Sequence, residues 1–194
     1  MIHFINGKIN KVYEDAAIVE AIGIGFKIYF SKTTIHNLFK NDEAIKIFIH
    51  MHFKQDGFNL YGFLDERELQ LFEKLISVSS VGPKSAISIL GIATPDQIIA
   101  AINKGDQTLL SHASGIGKKT AERVILELKD KLTMPKEKAA HTVSLLESDL
   151  EIEETLVTLG YKRQQARDII AKIDPKFNSF KDRLKDALRK AKNL

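Results

Sequence analysis

The chain has no cysteine. Disulfides and thiolate zinc sites are therefore excluded, and the composition suits a reducing, cytoplasmic setting. No stretch approaches the length of a membrane span. The opening residues Met1-Ile2-His3-Phe4-Ile5-Asn6-Gly7 lack the basic start and apolar run of a signal peptide, so neither export nor a membrane is expected. A strong charge bias is missing too. Net charge is +4 over 194 residues. Residues 1–63 carry 7 Lys/Arg against 6 Asp/Glu, residues 64–132 carry 9 against 9, residues 133–148 carry 2 against 2, and residues 149–194 carry 11 against 8. No segment has a broad basic face, so any nucleic-acid binding must rest on backbone amides and a few placed lysines.

A repeat is present instead. Val81-Gly82-Pro83-Lys84-Ser85-Ala86 returns as Ile116-Gly117-Lys118-Lys119-Thr120-Ala121, 35 residues later. Each copy follows one helical pattern and opens another, the layout of a helix-hairpin-helix. Gly115 and Gly117 are expected to let the backbone turn where a Cβ would clash. Val81 and Ile116 are expected to pin each turn between its helices. The first amides of the new helix then point outward at the positive end of its dipole, which is a phosphate cradle. One copy alone reads as an ordinary interhelical turn with a solvated lysine. Two copies with one layout favour phosphate binding.

Residues 1–63 read as five strands, at 2–12, 17–22, 26–30, 45–53 and 59–63. Gly7, Gly23, Gly25 and Gly57 punctuate them, and a short helix is expected over 33–40. That order is the plan of an OB-fold, a small closed Greek-key barrel. At Asp65 the period changes. Asp65-Glu66-Arg67-Glu68 is a helix start, and short helices continue to Leu132, with Thr94-Pro95 and Asp106 opening two of them. Residues 133–148 lose periodicity and read as a flexible linker. Residues 149–194 form three helices, expected at 150–159, 164–173 and 180–192, with Gly160 and Asp174-Pro175 as stops. The expected class is therefore multi-domain α+β: a barrel at 1–63, a tandem helix-hairpin-helix domain at 64–132, a linker, and a small helical module at 149–194.

With this order of parts the chain resembles the RuvA family, the Holliday-junction-binding subunits of the bacterial branch-migration machine. The resemblance runs the whole length. It is sharpest at Leu60-Tyr61-Gly62-Phe63, Val81-Gly82-Pro83-Lys84, the run from Gly115 to Arg123, and Leu159-Gly160-Tyr161. It implies a homotetramer, sometimes doubled to an octamer, that holds a four-way DNA junction open and square-planar. The tail, a three-helix UBA-like module, would recruit the RuvB ATPase, and a RuvC resolvase would be reached indirectly through the junction complex. No catalytic site, metal or cofactor of its own is implied. The implied phosphate-binding residues are Ser80, Gly82, Lys84, Gly115, Gly117, Lys118, Lys119, Thr120 and Arg123. Two departures stand out. Ser80 occupies a position where the family usually has Gly, so a side chain must take the turn. The acidic pin reads Lys54-Gln55-Asp56-Gly57, with Gln55 in place of a usual acid, leaving Asp56 alone. For the tail, Leu156, Leu159, Tyr161 and Leu188 are the implied partner-binding residues, with Leu184 on the face of Leu188. Core packing competes with that role for each leucine.

Helix-hairpin-helix elements also occur in glycosylases and structure-specific nucleases. A glycosylase needs an Asp or Lys after its hairpin, yet Leu132-Thr133-Met134-Pro135 runs on with no Asp until Asp149. A nuclease needs clustered carboxylates for metal ions. Asp65, Glu66 and Glu68 are more simply a helix N-terminus. His50-x-His52 puts two imidazoles on one strand face with no third ligand nearby. Gly117-Lys118-Lys119-Thr120 lacks the Gly five residues before Gly117 that a Walker A loop requires, so ATPase activity must come from a partner. A sequence-specific regulator would need side chains aimed at base edges. Phosphate contacts position without specifying, so shape recognition is expected.

Overall fold

Alternation of inward apolar and outward polar residues builds the first part of the chain. β1 (Phe4–Val12), β2 (Ala16–Ala21) and β3 (Ile24–Tyr29) form an antiparallel meander. α1 (Lys32–Leu38) follows, then the hairpin of β4 (Ile45–Lys54) and β5 (Gly57–Phe63). In this computed structural model, which describes residues 1–38, 44–129, 131–132, 136–174 and 176–191, the strands close into a barrel of order β1-β2-β3-β5-β4. Residues 39 and 40 of the helix expected over 33–40 lie outside the described residues. Val19, Ile28, Phe30, Ile47, Ile49 and Leu60 fill the interior. Gly62 is needed where the barrel closes, because a Cβ there would collide with the ring of Phe30.

β5 has two apolar faces, and this joins the barrel to the helices. Leu60 points into the barrel, while Tyr61 and Phe63 belong to the helical core. Phe72 of α2 (Glu66–Ile76) stacks on both, at 4.9 Å from Phe63 and 5.4 Å from Tyr61 between ring centroids. Phe72 is fully buried, so its truncation to Ala should cost about 3–5 kcal/mol. α3 (Pro83–Leu90), α4 (Pro95–Lys104), α5 (Gln107–Ser111) and α6 (Lys118–Leu128) share that core. Barrel and hairpins therefore form one compact unit, Met1–Thr133, with no break at residue 63.

The second unit is Met134–Leu194. Residues 133–135 of the expected linker lie outside the described residues. The rest of that segment is not linker-like: α7 runs continuously over Lys136–Thr158. Loss of apolar periodicity is a poor guide here. The stretch from Lys136 to Asp149 has no Gly or Pro and is rich in Ala, Lys, Glu and Leu, so propensity favours helix without a regular stripe. α8 (Arg163–Ile170) and α9 (Phe180–Ala191) pack on the C-terminal half of α7 around Ile152, Leu156, Ala166, Ile169 and Ala187. Among the described residues no single helix is long and apolar enough to cross a membrane.

Candidate nucleic-acid interface

The two hairpin turns are the same structure repeated. In the first, Val78 N donates to Leu75 O (3.1 Å), Val81 N to Val78 O (3.1 Å) and Ala86 N to Gly82 O (3.0 Å). In the second, Ala113 N donates to Leu110 O (3.1 Å), Ile116 N to Ala113 O (3.1 Å) and Ala121 N to Gly117 O (2.9 Å). Gly82 and Gly117 share φ −86° and ψ 170°. Val81 and Ile116 are both buried, as expected of the residues that pin the turns. The left-handed position is Ser80 (φ 74°) in one turn and Gly115 (φ 80°) in the other. Ser80 does take the turn with a side chain.

The glycine roles differ from expectation at one point. Gly115 is favoured by its positive φ, the conformation that Ser80 bears with a side chain in the first turn. Gly117 is not, since its φ is open to any residue and an added Cβ would meet nothing within 4 Å. The same holds for Gly82. Nothing inside the protein demands a bare Cα at either place. The bare Cα leaves room for a group that approaches from outside.

Capping separates these helices from their neighbours. Asp65 caps α2 by accepting from Arg67 N (2.8 Å), Thr94 caps α4 by accepting from Gln97 N (3.3 Å), and Asp106 caps α5 by accepting from Thr108 N (2.9 Å). α3 and α6 start on Gly82 and Gly117 with no side-chain cap. Their first-turn amides and positive dipole ends are left for an external anion. Lys84, Lys118 and Lys119 are exposed on those first turns, and Thr120 is half-buried. Among the described residues none of the three lysines makes an ion pair.

Arg123 is engaged differently from expectation. It is exposed on α6, but its Nη1 donates to Ser80 Oγ (2.9 Å) and lies 3.4 Å from Ser79 Oγ. The guanidinium ties the second hairpin's helix to the first hairpin's turn. Ser79 does not stand out in the sequence, because its role depends on this crossing.

Asp56 and Gln55 form the two-residue turn of the β4–β5 hairpin, since Lys54 pairs with Gly57. Both are exposed at the tip. Phe53 and Phe58 face each other just behind it, rings 6.3 Å apart and 67% and 54% exposed. Strand alternation alone would have put both in the barrel interior, but the hairpin extends past the barrel's end. His50 and His52 stack at 6.3 Å, and His50 Nδ1 lies 3.3 Å from Glu73 Oε1. Burial, then the neighbouring His50 and Lys54, hold the His52 pKa below its ordinary value. No group of three metal-ligating side chains occurs among the described residues.

In the tail, Leu156 is a correction. It is fully buried in the module's core and presents no surface to a partner, because the i, i+3/i+4 neighbours Ile152 and Leu156 form the inward stripe of α7. Tyr161 and Leu188 are half-buried against the same core, as is Leu184, and Tyr161 Oη donates to Ala191 O at 3.4 Å. Leu159 is 59% exposed and lines a groove of ≈ 480 Å³ with Phe180, Glu151 and Glu154. Phe180 escapes a reading of the sequence because it opens a helix that reads as basic. Asp186, buried on α9, accepts from Asp174 N (3.0 Å) and pairs with Lys190 (3.0 Å) and Arg189 (2.8 Å). The Asp174 amide first, then Lys190, lowers its pKa.

Two hairpins with uncapped helix starts, built onto a five-stranded barrel, place the chain among the helix-hairpin-helix DNA-binding proteins. Protein-family models narrow that class. Residues 1–62 match the RuvA N terminal domain, residues 72–130 the SAM-like helix-hairpin-helix tandem, and residues 151–191 the RuvA C-terminal domain. The chain is 42% identical to the Holliday junction branch migration complex subunit RuvA of Caldanaerobacter subterraneus subsp. tengcongensis, with 98% of each chain covered. It is 40% identical to the protein of that name from Chloroflexus aggregans, covering 97% of each. With the one from Clostridium beijerinckii it shares 38% identity over 97% of this chain and 98% of the other. The chain belongs to the RuvA family.

Proposed function

We propose that this chain is the non-catalytic DNA-binding subunit of a branch-migration complex acting in recombination and repair. It recognises four-way junctions by shape and recruits an ATPase of the RuvB kind. The observation that carries this reading is the pair of uncapped helix starts at Gly82 and Gly117, alike in backbone, open outside, and flanked by Lys84, Lys118 and Lys119. Two such cradles at a fixed separation suit two phosphates of one duplex arm. Several arms need several copies, so a homotetramer or octamer is the working assembly, and a RuvC resolvase meets it through the shared junction. Asp56 at the hairpin tip repels phosphates at the crossover. The tail docks the ATPase through the groove of Leu159 and Phe180, while Tyr161 and Leu188 pack half-buried against the module's core. The assembly works in the cytoplasm.

The test compares a four-way junction with linear duplex in gel shifts, for the full chain and for a chain ending at Thr133. The shortened chain should keep its junction preference and lose ATP-driven branch migration with the partner ATPase. Equal affinity for junction and duplex would reject shape recognition. Migration supported by the shortened chain would reject the tail as the coupling element. Asp56→Asn should narrow the preference for junction over duplex, and an unchanged preference would remove the pin from the account.

A further inference from the structure

The hairpins offer phosphates a backbone cradle. The barrel carries a second surface of different chemistry, on the outward side of its meander. Strand register places Lys11, Ile18 and Lys27 in one row across β1, β2 and β3. Tyr13, in the turn after β1, and Tyr29, at the end of β3, flank that row. Lys27 Nζ lies 5.8 Å from the Tyr13 ring centroid and 5.4 Å from that of Tyr29, and Lys11 Nζ lies 5.1 Å from Tyr13. Tyr13 is 44% exposed. Of the nearby acids, Glu20 accepts from Asn10 Nδ2 (3.2 Å), Glu14 faces Lys32 (3.9 Å), and Asp15 is exposed in the same turn as Tyr13, so the two lysines outweigh the face's acids only locally.

This face runs into a groove. β3 and β5 pair at Ile28–Leu60 and Tyr29–Tyr61. Before those positions they part, leaving a cleft of ≈ 280 Å³ lined by Lys27, Tyr29, Phe58 and Asn59. Phe58, exposed on its lining, is two residues after Asp56. The cleft therefore begins beside the hairpin tip and leads to the lysine–tyrosine row. One ammonium between two aromatic rings and a second beside one of them, next to a groove on an OB-type barrel, fit a nucleic-acid strand whose bases are free to stack. A paired duplex presents no free base faces and gains little from such a surface.

We propose that this barrel face binds unpaired single-stranded DNA, with phosphates on Lys11 and Lys27 and bases stacked on Tyr13 and Phe58. The site uses no residue of the two helix-hairpin-helix turns, and it gives a strand released at the β4–β5 tip a place to lie. It rests on the chemistry of the face and stands apart from the hairpin assignment.

The experiment uses the full-length protein and a labelled oligothymidylate, followed by anisotropy and by quenching of tyrosine fluorescence. The latter is readable because the chain has 4 Tyr and no Trp. Tyr13→Ala with Lys27→Ala should weaken oligothymidylate binding roughly tenfold or more and remove most of the quenching. Binding to a fully paired four-way junction should stay unchanged. Lys27→Gln alone should give a smaller loss, and Tyr13→Phe should retain binding, which separates stacking from a folding defect. Lys118→Ala with Lys119→Ala should do the reverse, losing junction and keeping oligothymidylate. The proposal is overturned if the wild-type protein does not bind the oligonucleotide. It is equally overturned if the Tyr13/Lys27 change leaves that binding intact, or if only the Lys118/Lys119 change abolishes it. If instead the Lys118/Lys119 change spares junction binding while oligothymidylate still depends on Tyr13 and Lys27, the hairpin reading fails and this one stands.

Discussion

The two hairpins have one backbone and different side chains. The first starts its helix with Pro83-Lys84 and turns on Ser80; the second starts with Lys118-Lys119 and turns on Gly115. Proline at the first helical position presets φ and supplies no amide and no charge. The second hairpin thus offers one more lysine and one more donor at its mouth, on an unstrained turn. The first holds its strained serine with a hydrogen bond from Arg123, which is borrowed from the second. Equal geometry therefore does not imply equal work. On the proposed reading the second hairpin is the stronger phosphate site, and the first turn draws support from its Arg123.

The largest effect expected from that difference is in binding. Lys118→Ala with Lys119→Ala should lower junction affinity on the order of 100-fold at moderate salt and flatten the log–log salt dependence by about two contacts for each engaged subunit. Lys84→Ala should lose on the order of tenfold and about one contact. Gel shifts across a salt series give both quantities. If Lys84→Ala matches the double change in loss and slope, the hairpins are equal and the ranking is wrong.

Part of this difference is legible in the sequence. The repeat exposes both turns, because five matches over six successive positions fix a buried pin and a helix start. The departure at Ser80 is legible from the family resemblance, which has Gly there, as the second turn has Gly115. The barrel is legible from the alternation of its strands, though its β5 also serves the helical core, since Tyr61 and Phe63 read simply as the outward side of a strand. Three things are not legible. The Arg123–Ser80 bond joins residues 43 apart and depends on how the helices cross. The helix from Lys136 has propensity without periodicity. The exposed Phe53–Phe58 pair follows from how far one hairpin overshoots the barrel, which residue pattern does not encode.

A middle-sized effect sharpens the claim that Gly82 and Gly117 are bare for a ligand. In either place Ala has an accessible φ and meets nothing within 4 Å. The poorer N-cap and the stiffer unfolded chain roughly cancel, so stability should stay within about 0.5 kcal/mol. Junction affinity should nevertheless fall about tenfold for Gly117→Ala, because a Cβ intrudes where a phosphate meets the first amides. The Gly82 change should cost less, in line with the weaker site. Thermal melts beside gel shifts test this. A loss of stability matching the loss of binding would return these glycines to a structural role.

The smallest effect concerns the turns themselves. A non-glycine residue in the left-handed region costs about 1 kcal/mol. Ser80 bears that cost at φ 74° and recovers part of it through Arg123 Nη1, at 2.9 Å from its Oγ. Ser80→Gly relieves the strain, loses the bond, and loosens the unfolded chain, so the net change should lie within about 0.5 kcal/mol of zero. Gly115→Ser has no such compensation. Its Cβ would sit at an ordinary 3.4 Å from Ser85 Oγ, so φ is the main penalty. The residue placed like Arg123 in the first hairpin is Ser88, 35 positions earlier, which is too short to reach across. Gly115→Ser should therefore destabilise by about 1 kcal/mol or slightly more. Arg123→Ala should destabilise the wild-type chain more than it does the Ser80→Gly chain, a coupling readable in a double-mutant cycle. Additive changes in that cycle would mean that the crossing bond does nothing for the strained turn, and that the two hairpins stand independently.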